Sequence, residues 1–143
     1  MNHFTLFAHG ESFDVDVYLA KTTLRFDRVW RRGDQRRYSC VESRHSTSGV
    51  ETVLGDGPKI PIHEQQSIAV RYLSAHHDAL IELADYPGVE TFVIGLHYEI
   101  DAEGVIGFCM SPSEQLMKHA LDLRLRPNFY VVLNHSSDHD GAV

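Results

Sequence analysis

Seven of the chain's ten arginines fall within residues 25–44, in a run reading RFDRVWRRGDQRRYSCVESR around the only tryptophan, Trp30. Guanidinium groups are planar, permanently charged, and able to grip two oxygens of a carboxylate or phosphate at once; a chain with ten Arg and three Lys favours that geometry. The run sets its seven arginines against Asp27, Asp34 and Glu42, a net of +4 that leaves −11 for the rest of a chain whose formal charge is −7. A basic patch on an acidic body is a candidate contact surface for an anionic ligand or an acidic partner. Arg28, Trp30, Arg31, Arg32, Arg36 and Arg37 are its candidate binding residues, since Arg and Trp are the types most enriched where interfaces concentrate their energy. The competing reading is a solvated loop whose arginines pair with the neighbouring acids and lie over Trp30, a cation–π contact worth roughly 0.5–1 kcal/mol when exposed.

Other chemistry is weaker in the sequence. Nucleic acid is disfavoured as a partner, because an overall charge of −7 repels the polymer outside one patch and the aromatics form no stacking motif. Ten histidines invite a metal. His97 and Glu99 alternate onto one face of a strand, and His76 would complete a two-His, one-carboxylate set if its helix packed there. None of the three has a dedicated spacing such as H-E-x-x-H, and the adjacent His76 and His77 diverge around a helix. Cys40 and Cys109 carry no nucleophile signature, no G-x-S-x-G elbow exists, and GDGPK at 55–59 lacks phosphate-loop spacing. No cofactor and no catalytic residue is expected.

These side chains need a scaffold. Residues 3–8 and 13–20 read as strands, the second because Phe13, Val15, Val17 and Leu19 alternate with polar positions. Thr23 is positioned to cap a short helix through Leu24, Phe26 and Trp30, ended by Gly33. Residues 39–61, rich in Ser, Thr, Gly and Pro, read as loop and short strand. From about residue 63, Ala69, Tyr72, Leu73, His76, Leu80 and Leu83 recur at steps of three and four, which predicts a helix of about six turns stopped by Tyr86-Pro87-Gly88. A strand over 90–100 is expected to turn through 101–104 into a second strand over 105–110. Ser111-Pro112-Ser113-Glu114 predicts a helix capped by Ser111 and carrying Leu116, Met117, Ala120 and Leu121 inward, leading to a strand over Phe129–Leu133. The expected fold is α+β: one antiparallel or mixed sheet with two main helices on one face, in the ferredoxin-like manner, formed by residues 1–134 and followed by a mobile tail over 135–143.

At 143 residues the chain suffices for one self-supporting core. Its first twenty residues lack a basic segment followed by an apolar one, and no run approaches membrane-spanning length, so a cytoplasmic protein with two reduced thiols, bacterial in style, is expected. FDVDVYLA followed by RFDRVWRRGD, then HEQQSIAVRYLSAHHDALIELADYPGVETFVIGL, then SPSEQLMKHALDLRLRPNFYVVL, resemble small bacterial proteins grouped as domain of unknown function 4279. The resemblance rests on a strand, a Trp-Arg-Gly turn, a helix ending in Pro-Gly, and a helix leading to an aromatic-containing strand. It covers most of the chain, implies a small α+β fold and implies no catalytic residues. The functional expectation is a non-enzymatic binding or interaction module that uses the arginine patch. An immunity-type inhibitor presenting Asp14, Asp16 or the acidic loop 99–103 is one alternative, and a metal-dependent enzyme built on His76, His97 and Glu99 is another. Self-association as a two-fold dimer suits a sheet with an unpaired edge.

Overall fold

The computed structural model describes residues 2–36, 43–57, 62–101 and 113–134. Arg37, Cys40, Cys109, the expected strand 105–110, the Ser111-Pro112 cap and the 135–143 tail lie outside these residues, as do the side chains of Glu99 and Asp101.

The elements run β1 (Asn2–Gly10), α1 (Val15–Lys21), β2 (Arg28–Trp30), β3 (Ser48–Gly57), α2 (Ile62–Ala75), α3 (His77–Ala84), β4 (Thr91–Asp101), α4 (Glu114–Asp122) and β5 (Arg126–Asn134). The five strands form one mixed sheet in the order β2-β3-β1-β4-β5, antiparallel except for the parallel β4–β5 pair. The α+β class is as expected. This order does not establish the ferredoxin-like arrangement. Within β1, Phe4, Leu6 and Ala8 are fully buried, and register places Leu54, Thr52 and Val50 of β3 and Leu96, Ile94 and Phe92 of β4 beside them. Ala69, Leu73, Leu80, Leu83, Leu116 and Ala120 from the helices join the same core cluster. The other face therefore carries His3, Thr5, Phe7 and His9 of β1.

Four local expectations are corrected. Residues 15–21 are helical, not strand: the Asp14 side chain accepts from the Val17 N–H at 3.2 Å, Asp16 lies in the first turn and Lys21 in the last. Val15 and Tyr18 are buried, a spacing of three, whereas Val17, which the alternating pattern counted as inward, is exposed. Arg28–Trp30 is a strand, not the end of a helix, because Val29 fits beside Val50 while Arg28 and Trp30 take the opposite face. The six-turn helix is divided at His76 (φ −112°, ψ 20°), whose ring packs on Tyr72 at 4.5 Å. Ser48–Gly57, within a segment read as loop and short strand, is a ten-residue strand.

The α4 start is also displaced. Ser113 is the N-cap, its Oγ accepting from the Leu116 N–H at 3.2 Å. A capping box would need an acidic or amide side chain at residue 116 to accept from the cap's own N–H. Here Gln66 of α2 fills that role, its Oε1 accepting from the Ser113 N–H at 2.6 Å. Leu116, Ala120 and Leu123 face inward at steps of four and three, which leaves Leu121 71% exposed instead of buried.

Candidate functional site

Register determines which arginines share a surface. Arg28 and Trp30 of β2 pair with Glu51 and Gly49 of β3, which pair in turn with Phe7 and His9 of β1, so these residues lie on the sheet face opposite the core. The indole lies flat over Gly49: a Cβ there would sit 2.3 Å from Trp30 Cζ2. Arg28 covers the ring, its Cζ 5.0 Å from the centroid, and Trp30 is left 8% exposed.

Beyond β2 the chain turns back on itself. Gly33 adopts φ 91°, a left-handed conformation that costs glycine little, and its N–H donates to the His45 carbonyl at 2.9 Å. The His45 N–H donates to the Asp34 carbonyl at 2.8 Å, and the Arg36 N–H to the Ser43 carbonyl at 2.9 Å. These bonds carry His45 back over Trp30, with ring centroids 5.7 Å apart and planes inclined by 28°. The result is a hollow of about 290 Å³ walled by Phe7, His9, Trp30 and His45, with Arg28, Arg36 and Glu51 as its charges and Ser46 and Thr47 at its edge.

The hollow carries two guanidiniums against the one carboxylate of Glu51. Burial holds the His45 imidazole below the ordinary histidine value, and the guanidiniums of Arg36 and Arg28 lower it further against a smaller opposing pull from Asp34. His9 is likewise held low by burial, with Glu90 opposing. Both rings are therefore neutral at pH 7, and the positive charge of the hollow comes from Arg28 and Arg36.

The structure thus divides the arginine run. Arg28, Trp30 and Arg36 converge. Arg31 turns instead to α1, its Nε lying 3.0 Å from Asp16 Oδ2 and its Nη2 2.7 Å from Oδ1, in a bidentate pair that holds the Asp16 carboxyl below its usual range. The Arg32 N–H donates to Ser48 Oγ at 2.9 Å, a backbone tie that gives its side chain no place in the hollow. Phe7, His9, His45 and Glu51 were not legible as site members, because only strand register and the fold-back turn bring them together.

The structure does not bring His97 and His76 together, and the Glu99 side chain lies outside the described residues. His97 pairs in register with His3, and their rings stack 4.5 Å apart, with Thr5 Oγ1 lying 3.1 Å from His97 Nε2. Its strand neighbour Leu96 joins the core with α2 residues Ala69 and Leu73, so alternation turns His97 away from the helix that precedes His76. Among the described residues no group of three or more His, Cys, Asp or Glu side chains could hold a metal ion. Of the acids an immunity-type reading would present, Asp14 and Asp16 are engaged by the α1 N-terminus and by Arg31, and the side chains of the 99–103 loop lie outside the described residues. No helix of the described residues is long and apolar enough to cross a membrane.

Comparison of the chain with protein-family models, with curated proteins and with solved structures finds no match.

Proposed function

We propose that the protein is a non-enzymatic binding module that seats an anionic group, from a small ligand or a partner's side chain, between Arg28 and Arg36. The observation that carries this reading is that Arg28 and Arg36 line one hollow together with Trp30 and His45. A carboxylate or phosphate entering there meets two cations, while Trp30, His45 and Phe7 offer flat apolar surface to whatever bears the charge. The reading takes the helices to stand on the core face of the sheet, as in the ferredoxin-like arrangement, so that the Trp30 face is left to the ligand. It also takes the chain to work in a reducing cytoplasm.

Trp30 is the only tryptophan, so its emission reports on the hollow alone. Titration with phenyl phosphate should give a saturable change in that emission. Arg28→Gln should weaken the response about tenfold, the size of one lost charge-assisted hydrogen bond. Arg31→Gln, whose parent side chain is committed to Asp16, should bind as the unaltered protein does. An unsaturable response, or equal loss from Arg31→Gln and Arg28→Gln, would defeat the proposal.

A further inference from the structure

A second hollow, of about 400 Å³, opens where the C-terminal ends of α1 and α3 meet, and it shares no residue with the arginine site. Its size falls within the roughly 300–1,000 Å³ typical of small-molecule pockets. Tyr18 and Tyr86 form an aromatic corner, rings edge to face with centroids 5.0 Å apart, and Ile81 and Pro87 extend the apolar wall.

Its polar groups are of two kinds. Tyr18 is only 3% exposed, and its hydroxyl oxygen accepts from Thr22 Oγ1 at 3.2 Å, while that threonine oxygen accepts from the Leu24 N–H at 3.1 Å. The Tyr18 and Thr22 hydroxyls share one hydrogen bond, so one of their two hydrogens is left without an acceptor among the described residues. Lys21, at the same rim, has no ion-pair partner among them either. Two donors, one of them cationic, thus await an acceptor of negative charge.

On the α3 side the need is reversed. Asp85 is paired with Arg124 at 2.9 Å, but Glu82 has no ion-pair partner among the described residues. The Tyr18 phenol is pushed up chiefly by burial, and Glu82 is among the neighbouring groups that add to the rise, which places that carboxylate within electrostatic reach of the hydroxyl. The C-terminal end of α3 adds a partial negative charge. Here a cation is called for.

We infer that this hollow binds a free α-amino acid with an apolar side chain. Its carboxylate meets Lys21 and the Tyr18 hydroxyl, its ammonium meets Glu82, and its side chain lies against Tyr86, Ile81 and Pro87. One zwitterion satisfies the unpaired donors and the unpaired acceptor together, which neither a simple amine nor a simple carboxylate does.

The test is titration of the ¹⁵N-labelled full chain with L-phenylalanine, with phenethylamine, which lacks the carboxylate, and with 3-phenylpropanoate, which lacks the ammonium. L-Phenylalanine should give saturable shifts at the amides of Tyr18, Thr22, Ile81 and Tyr86, and each analogue should bind about threefold to fivefold more weakly, the scale of an exposed ion pair. Glu82→Gln should weaken L-phenylalanine and phenethylamine but leave 3-phenylpropanoate unchanged, and Lys21→Gln should do the reverse for the two analogues. An analogue binding as tightly as L-phenylalanine, a variant pattern that ignores ligand charge, or no saturable shift at these amides would overturn the assignment. Tyr18, Thr22, Ile81 and Tyr86 line only this hollow, so their amides read it separately from the arginine site, where a carboxylate ligand would instead change Trp30 emission.

Discussion

Replacing Gly49 with alanine places a methyl group 2.3 Å from Trp30 Cζ2, 2.7 Å from Cε2 and 2.8 Å from the Ala8 carbonyl oxygen. Real carbon contacts do not close to such distances, so the indole must lift off β3 or the strand must shift. Overpacking of this kind costs about 1–3 kcal/mol. Gly49 is not among the glycines with positive φ, so alanine meets no backbone strain there, and the stiffer unfolded chain returns about 0.4–1 kcal/mol. The net expectation is a loss of about 1–2 kcal/mol, which for a chain of this size is a fall in Tm of roughly 3–8 °C.

Stability alone would not distinguish a moved tryptophan from a general defect. The emission of the only tryptophan does: displaced from its 8% exposure, Trp30 should shift to the red in the folded protein. Gly33→Ala is the control. It has no atom within 4 Å of the added carbon but a φ of 91°, so it should lose stability through backbone strain without moving the indole. If Gly49→Ala keeps both the Tm and the emission maximum of the unaltered protein, the indole does not lie on that glycine and the floor of the proposed anion site is wrongly drawn.

The remaining expectations concern the rest of the scaffold. His97, His9 and His45 are all held below 6.5 in the folded chain, each chiefly by burial, so as pH falls below 6.5 the unfolded chain takes up protons first. Stability should therefore be constant in this respect above pH 6.5 and decline as pH drops toward the lowered folded values; urea unfolding at pH 7.5 and 5.5 measures the difference, and His97→Gln should reduce it. Ser113→Ala removes the acceptor for the Leu116 N–H and should cost about 1 kcal/mol in urea unfolding, leaving Gln66 to hold the cap's own N–H. Arg124 closes α4 at φ 57°, with its own N–H donating to the Leu121 carbonyl and the Leu125 N–H to that of Ala120, a pattern that glycine usually serves. Arg124→Gly should raise stability by about 0.5–1 kcal/mol, since the ion pair it removes is largely exposed; a lower Tm would show that the pair with Asp85 holds α4 more firmly than exposure suggests.

What the sequence disclosed about this fold follows from the range of the forces involved. The β1 and β4 strands, the Pro-Gly stop after α3 and the left-handed Gly33 were legible because each is decided by neighbours within a few residues. Residues 13–20 show how two periods compete. Phe13, Val15, Val17 and Leu19 satisfy alternation, yet Val15, Tyr18 and Leu19 equally satisfy a helical face, and the Asp14 cap decides for the helix. The cap of α4 depends on an amide from α2, forty-seven residues earlier in the chain, which no local pattern at Ser113 announces.

The candidate site divides along the same line. Residue type alone marked Arg28, Trp30 and Arg36, but it marked Arg31 and Arg32 as well, because charge and spacing do not reveal which side of a strand a guanidinium takes. A single fact of register separates them: Trp30 opposes Gly49, so Arg28, two residues before it, shares the indole's face, whereas Arg31 lies past the strand and is taken by Asp16 of α1. The same fact explains why a glycine must stand at 49 and why His9, opposite that glycine on the next strand, borders the hollow. The proposed anion site needs few residues from the arginine run itself. In that proposal selectivity rests on Arg28, which the strand turns toward Trp30, and on Arg36, which the fold-back turn returns to it, while Arg31 holds the chain's own Asp16.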